Sequence, residues 1–177
     1  MLKQMWSLVL RNPKASAALL VILGSAFSIT MAWGFQLIGG YLPCELCLAQ
    51  RVPYYVGVVL GLGALGFALT ARFKWLATLC LLASVGFFIY GGGVGIYQAG
   101  AEWDWWLGPN DCGGGAAPQL GSAADMLKTL AHTRVVSCST ASIRILGLSF
   151  AGLNVFYSLG MSFVALCGVV LRPSAKA

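Results

Sequence analysis

The stretch Pro43-Cys44-Glu45-Leu46-Cys47-Leu48-Ala49-Gln50-Arg51 sits between two long apolar runs and holds two cysteines separated by two residues. A Cys-x-x-Cys pair can cycle between dithiol and disulfide, supply half of a soft-metal site, or serve as two small hydrophobes. The flanking sequence has to discriminate among these.

Upstream, an uncharged run over about residues 17–42 follows a segment carrying Lys3, Arg11 and Lys14. At about 1.5 Å per residue it can cross a hydrocarbon core of about 30 Å, and it exceeds the roughly 7–15 residues of a signal-peptide core. An uncleaved first transmembrane helix is expected. Downstream, about 52–71 is uncharged and carries Gly57, Gly61, Gly63 and Gly66, small residues that let helices approach in lipid. Pro53 lies near its start, harmless if the helix begins there and a source of a kink if it begins nearer Cys44. The basic turn Arg72-Phe73-Lys74 leads to a third span over about 75–97, with Trp75 and Tyr97 as interfacial anchors and Gly91-Gly92-Gly93 loosening its end. A fourth span is expected over about 145–171.

Composition agrees: the chain is 59% hydrophobic and 9% charged, whereas soluble domains have roughly 45–50% and 25%. The expected fold class is an all-α membrane protein, a four-transmembrane-helix bundle forming one domain over residues 1–177. Its two loops cover about 43–51 and 98–144. In the second, Leu120, Ala124, Leu127 and Leu130 recur at helical spacing, so a short amphipathic helix is expected there, lying on the bilayer or packed on the loop's own aromatics. The formal charge of +6 does not point to nucleic acid, because the basic residues surround apolar runs without aromatic interleaving.

Lys3, Arg11, Lys14, Arg72, Lys74, Arg172 and Lys176 fall on one side with no acid, whereas Arg51, Lys128, Arg134 and Arg144 share the other with all five acids. By the positive-inside rule both termini are cytoplasmic and both cysteine-bearing loops face outward. Cys44, Cys47, Cys112 and Cys138 lie in those loops, and Cys80 and Cys167 lie inside spans, where an apolar setting keeps a thiol inert. Outward cysteines are where disulfides persist. Redox exchange, structural stapling and a metal site all remain open for the four. The metal reading is weakened by the wide spacing of the second pair and by His132 being the only histidine. Redox exchange gains from Arg51, one helical turn after Cys47, where a cation and a helix N-terminus both favour a thiolate; an arginine there can also snorkel to headgroups.

Cys-x-x-Cys with Arg four residues on, at the outward start of the second of four spans, and a second cysteine pair in the other outward loop resembles the bacterial DsbB family of disulfide-forming quinone reductases. The likeness runs from the first span to Ile145-Leu146-Gly147-Leu148. It implies a bacterial inner-membrane enzyme that oxidises a periplasmic thioredoxin-like, DsbA-type partner and passes electrons to ubiquinone or menaquinone. By the same resemblance, a Cys112–Cys138 disulfide is attacked by the partner at Cys112, Cys138 exchanges with Cys44, and Cys47 faces the quinone with Arg51 stabilising its charge. Where many members carry Tyr-His after the third span, this chain has Tyr97-Gln98, and an amide can donate a hydrogen bond to a quinone carbonyl but carries no proton. Two alternatives stand beside it: a vitamin K epoxide reductase-like enzyme, disfavoured because the Cys-x-x-Cys pair opens the second span, and a non-catalytic membrane protein with metal-binding or stapling cysteines.

Overall fold

The computed structural model describes residues 12–106, 108, 134–135, 144–145 and 147–171. Cys112, Cys138, His132 and the amphipathic helix expected around 120–131 lie outside the described residues. Four helices, each long and apolar enough to cross a membrane, dominate the described chain: α1 (Pro13–Leu37), α2 (Glu45–Leu69), α3 (Lys74–Glu102) and α4 (Phe150–Val170). A 3₁₀ turn over Ala71–Phe73 joins α2 to α3 where the basic turn is expected.

The packing is inverted relative to a water-soluble bundle. Small residues fill the interior, with Ala15, Ala18, Ala64, Ala77, Ala165, Ser84 and Ser158 fully enclosed, around Phe88, Leu81 and Val21. Large apolar side chains point outward: Val59 is 69% exposed and Phe163 68%. That is the pattern lipid imposes, since tails are as apolar as leucine and close backbone approach does the work. Interhelical hydrogen bonds add to it. The Tyr54 hydroxyl meets Asn154 Oδ1 at 2.5 Å and Ser158 Oγ at 2.9 Å, tying α2 to α4. Tyr157 donates to the Gly24 carbonyl at 2.8 Å, tying α4 to α1. At the far end from the cysteine pair, Asn12 donates to the Ala68 carbonyl at 2.9 Å and Lys14 Nζ to Thr78 Oγ1 at 2.5 Å.

Each helix is displaced from its expected bounds for an identifiable reason. α1 starts at Pro13, capped by the Asn12 side chain, and stops at Leu37 because Ile38 and Gly39 both return their N–H to Gly34 and Gly40 takes a positive φ of 68°. α2 starts at Glu45, well before Pro53, because Cys44 caps it. Pro53 is therefore inside the helix and buried, its missing N–H leaving a helical bond unmade. Gly91 of α3 makes room for that ring, since a Cβ there would stand 2.9 Å from Pro53 Cγ. The glycine run expected to loosen α3 is thus a packing surface, and α3 continues to Glu102. α4 starts at Phe150, not near Ile145. The apolar stretch before it forms a two-residue antiparallel pair, β3 (Arg144–Ile145) with β4 (Leu148–Ser149), turning at Gly147 with φ 84°, and Ser149 then caps the helix.

One further pairing brings the two loops together. β1 (Tyr41–Leu42), two residues before Cys44, pairs in parallel with β2 (Arg134–Val135), so that Leu42 lies opposite Val135.

Candidate active site

Cys44 is the N-cap of α2: its backbone is extended, and its Sγ accepts the Cys47 N–H at 3.2 Å, doing the work that serine or aspartate usually does there. Cys47 consequently sits in the first turn with Gln50 and Arg51 one turn on, and α2 places all of them against the end of α3. Cys44 and Cys47 are both free thiols. Cys44 is 6% exposed. Its hydrogen bond with Cys47, reinforced by burial, pushes its thiol well above the ordinary thiol range.

A polar chain runs from α2 to the last turn of α3. Cys47 Sγ lies 3.7 Å from Gln98 Nε2 and 3.9 Å from Gln98 Oε1. Gln98 Oε1 accepts from Gln50 Nε2 at 2.6 Å, and Gln98 Nε2 donates to Glu102 Oε1 at 3.3 Å. Gln50, Gln98 and Glu102 are 7%, 3% and 8% exposed, so this chain is almost dry. Arg51 reaches the other way, donating from Nη1 to Gln36 Oε1 of α1 at 2.8 Å. Arg144 donates to the Glu102 backbone carbonyl at 3.4 Å.

These side chains form one wall of a cavity of about 170 Å³. A single water needs about 10–15 Å³ on that measure, so the space suits an organic ring. Ala32 and Phe35 of α1, Pro43, and Phe150 and Ala151 of α4 supply the apolar walls, and Gln36, Cys47, Gln50, Arg51, Gln98 and Glu102 the polar one. Phe35 and Phe150 meet edge to face, centroids 4.7 Å apart. The cavity combines a sulfur, a fixed cation and amide donors at the edge of an apolar slot, an arrangement suited to a flat apolar molecule with hydrogen-bond acceptors.

Residues 14–168 match the family described as disulfide bond formation protein DsbB. The chain belongs to the DsbB family. Membership of the DsbB family implies a membrane oxidoreductase acting in disulfide bond formation, and it sets aside the vitamin K epoxide reductase-like alternative. No curated protein and no solved structure matches the chain.

Of the site residues expected from sequence, Cys44, Cys47, Arg51 and Gln98 converge at this end of the bundle: Cys47, Arg51 and Gln98 line the cavity, and Cys44 caps the helix beside it. Cys112 and Cys138 lie outside the described residues. Cys80 is half-buried against the apolar core, away from the cavity. Gln36, Gln50 and Glu102 were not singled out from sequence. Gln50 stands between Cys47 and Arg51 in the opening stretch, and Glu102 is four residues from Gln98, hence on its helical face. An acid closing a membrane helix whose one other charge is Lys74 at its opposite end was the available signal.

Proposed function

We propose that this DsbB-family chain oxidises the dithiol of a periplasmic thioredoxin-like, DsbA-type protein and passes the electrons to a membrane quinone, ubiquinone or menaquinone. The chain acts as one integral-membrane domain over residues 1–177 in the bacterial inner membrane, with both termini cytoplasmic and both cysteine loops periplasmic. The observation that carries this reading is Cys47 Sγ at the polar wall of an apolar, ring-sized cavity, beside Gln98 and one turn from Arg51.

The lining residues fit a quinone. Phe35 and Phe150 would hold the ring between α1 and α4, and Arg51 and the Gln98 amide are donors for its carbonyl oxygens. A bound quinone supplies a two-electron acceptor and so the driving force to oxidise a partner whose disulfide is itself strongly oxidising, where each 30 mV uphill costs about 1.4 kcal/mol. The protein's own part is division of labour within the cysteine pair. Cys44 retains its proton. Cys47, in the first turn of α2 with Arg51 one turn away, is the sulfur placed to bear negative charge. The dry Gln50–Gln98–Glu102 chain keeps water from competing for it.

Thiol exchange with the second pair gains support from β1–β2. Cys138 follows Val135 by three residues, a tether of at most about 10–11 Å, and Cys44 follows Leu42 by two. In this relay the partner attacks a Cys112–Cys138 disulfide at Cys112, and Cys138 then exchanges with Cys44. Purified protein mixed with a reduced thioredoxin-like partner and quinone should form quinol, and Cys44→Ser or Cys112→Ser should abolish it. Undiminished turnover in either variant contradicts the relay.

A further inference from the structure

Glu102 closes α3 at the cavity wall with an unusual imbalance. Its Oε1 accepts from Gln98 Nε2 at 3.3 Å, whereas its Oε2 is enclosed and has no hydrogen-bond partner among the described residues. The residue is 8% exposed and lines the cavity with Cys47 and Arg51. A buried carboxylate oxygen left without a partner is costly, and native structures rarely keep one without a use. The other ionisable groups lining the cavity are Tyr41, Cys47 and Arg51, with Cys44 capping α2 beside it and Arg144 held at the Glu102 backbone carbonyl. Arginine does not give up its proton, and the Gln98 and Gln50 amides have no titratable one. Glu102 is the carboxyl among them.

We infer that Glu102 is a catalytic proton carrier of this pocket: Oε2 takes a proton released by the cysteine pair, yields it at the quinone oxygen, and afterwards accepts a hydrogen bond from the quinol hydroxyl. The inference rests on the quinone reading above. Counted from two thiols, one proton leaves Cys47 as it ionises and is held by Glu102, and the other leaves Cys44 as the S–S bond forms. The two electrons and two protons released equal those that convert quinone to quinol. Glu102 ends the turnover as it began. An ionised carboxylate only accepts hydrogen bonds, so it pairs with a quinol O–H and offers nothing to a quinone C=O. Oε2 therefore distinguishes product from substrate.

The test is a pair of binding titrations on the full-length protein in detergent micelles, one with a short-chain ubiquinone and one with its quinol, comparing wild type with Glu102→Gln. Quinol affinity is expected to fall about ten- to a hundredfold, the loss of one charge-assisted hydrogen bond, with quinone affinity within about twofold. In single turnover, quinol formation by the dithiol form should slow by about a hundredfold or more. Equal losses for quinone and quinol, or none for either, overturn the inference. Should the variant not fold, wild type alone decides: the infrared difference spectrum between its quinone-bound and quinol-bound forms is expected to show a perturbed carboxyl band, and a spectrum without any carboxyl change overturns the proposal. A wild-type protein that neither binds nor reduces quinone refutes the functional reading itself. One that does both while Glu102→Gln matches it refutes only the role of Glu102.

Discussion

Replacing Gln98 by leucine removes the centre of the polar chain while leaving an apolar side chain at a site 3% exposed. Two partners are orphaned: Gln50 Nε2, now 2.6 Å from Gln98 Oε1, and Glu102 Oε1, now 3.3 Å from Gln98 Nε2. Interhelical hydrogen bonds in membrane bundles average about 0.6 kcal/mol and reach about 1.7. Those values apply when the partners can find water or each other. Here both remain enclosed, and a buried unpaired polar group costs about 1–3 kcal/mol. A destabilisation of about 2–4 kcal/mol is therefore expected for Gln98→Leu, measured by reversible unfolding in mixed detergent micelles. Adding Gln50→Leu deletes one of the two orphans and should recover about 1–2 kcal/mol, because removing both partners of a buried bond is far less costly than removing one. A single variant as stable as wild type, or a double variant that is worse by the full cost of Gln50→Leu alone, would show that the chain does not couple α2 to α3.

Four shorter tests address other parts of the structure. Arg51→Met removes a charged donor at the cavity wall and is expected to raise the apparent KM for quinone about tenfold or more while leaving exchange between the two cysteine pairs intact; equal losses in both steps would make Arg51 merely structural. Gly91→Ala drives a methyl to 2.9 Å from the rigid Pro53 ring and should cost about 1–3 kcal/mol in the same unfolding assay, partly restored by Pro53→Ala. Tyr54→Phe removes the hydroxyl shared by Asn154 and Ser158, with an expected loss of about 0.6–1.7 kcal/mol and no change in quinone affinity. Chelator treatment should leave quinone reduction unchanged, and a loss of activity restored by zinc would revive the metal reading of the cysteines.

The number and order of the spans could be read directly from sequence, since each apolar run is long enough to cross the hydrocarbon core and the charges fall between runs. The ends could not. That Pro53 lies inside α2 follows from the Cys44 cap, and its ring is accommodated there because Gly91, on another helix, leaves space for it. The Gly91-Gly92-Gly93 run has low helix propensity, yet tertiary packing overrides it and α3 runs on to Glu102. Ile145 and Leu148 are apolar enough to read as the start of the fourth span, yet they pair across strands, with Gly147 at a positive φ between them. The same division holds for the site. Cys44, Cys47 and Arg51 are contiguous and readable as a unit. Gln98 came forward through the family resemblance alone, and Glu102 and Gln50 acquire meaning only when α2 and α3 are side by side.

The most direct test of the account is a single-turnover experiment on protein whose Cys44/Cys47 pair has been reduced, mixed with quinone in the absence of any partner protein, with disulfides then mapped by mass spectrometry. One quinol per pair, formed together with a Cys44–Cys47 disulfide, is the expected result. No quinol, or quinol formed while Cys44 and Cys47 remain thiols, would contradict the central claim that this pair hands electrons to quinone.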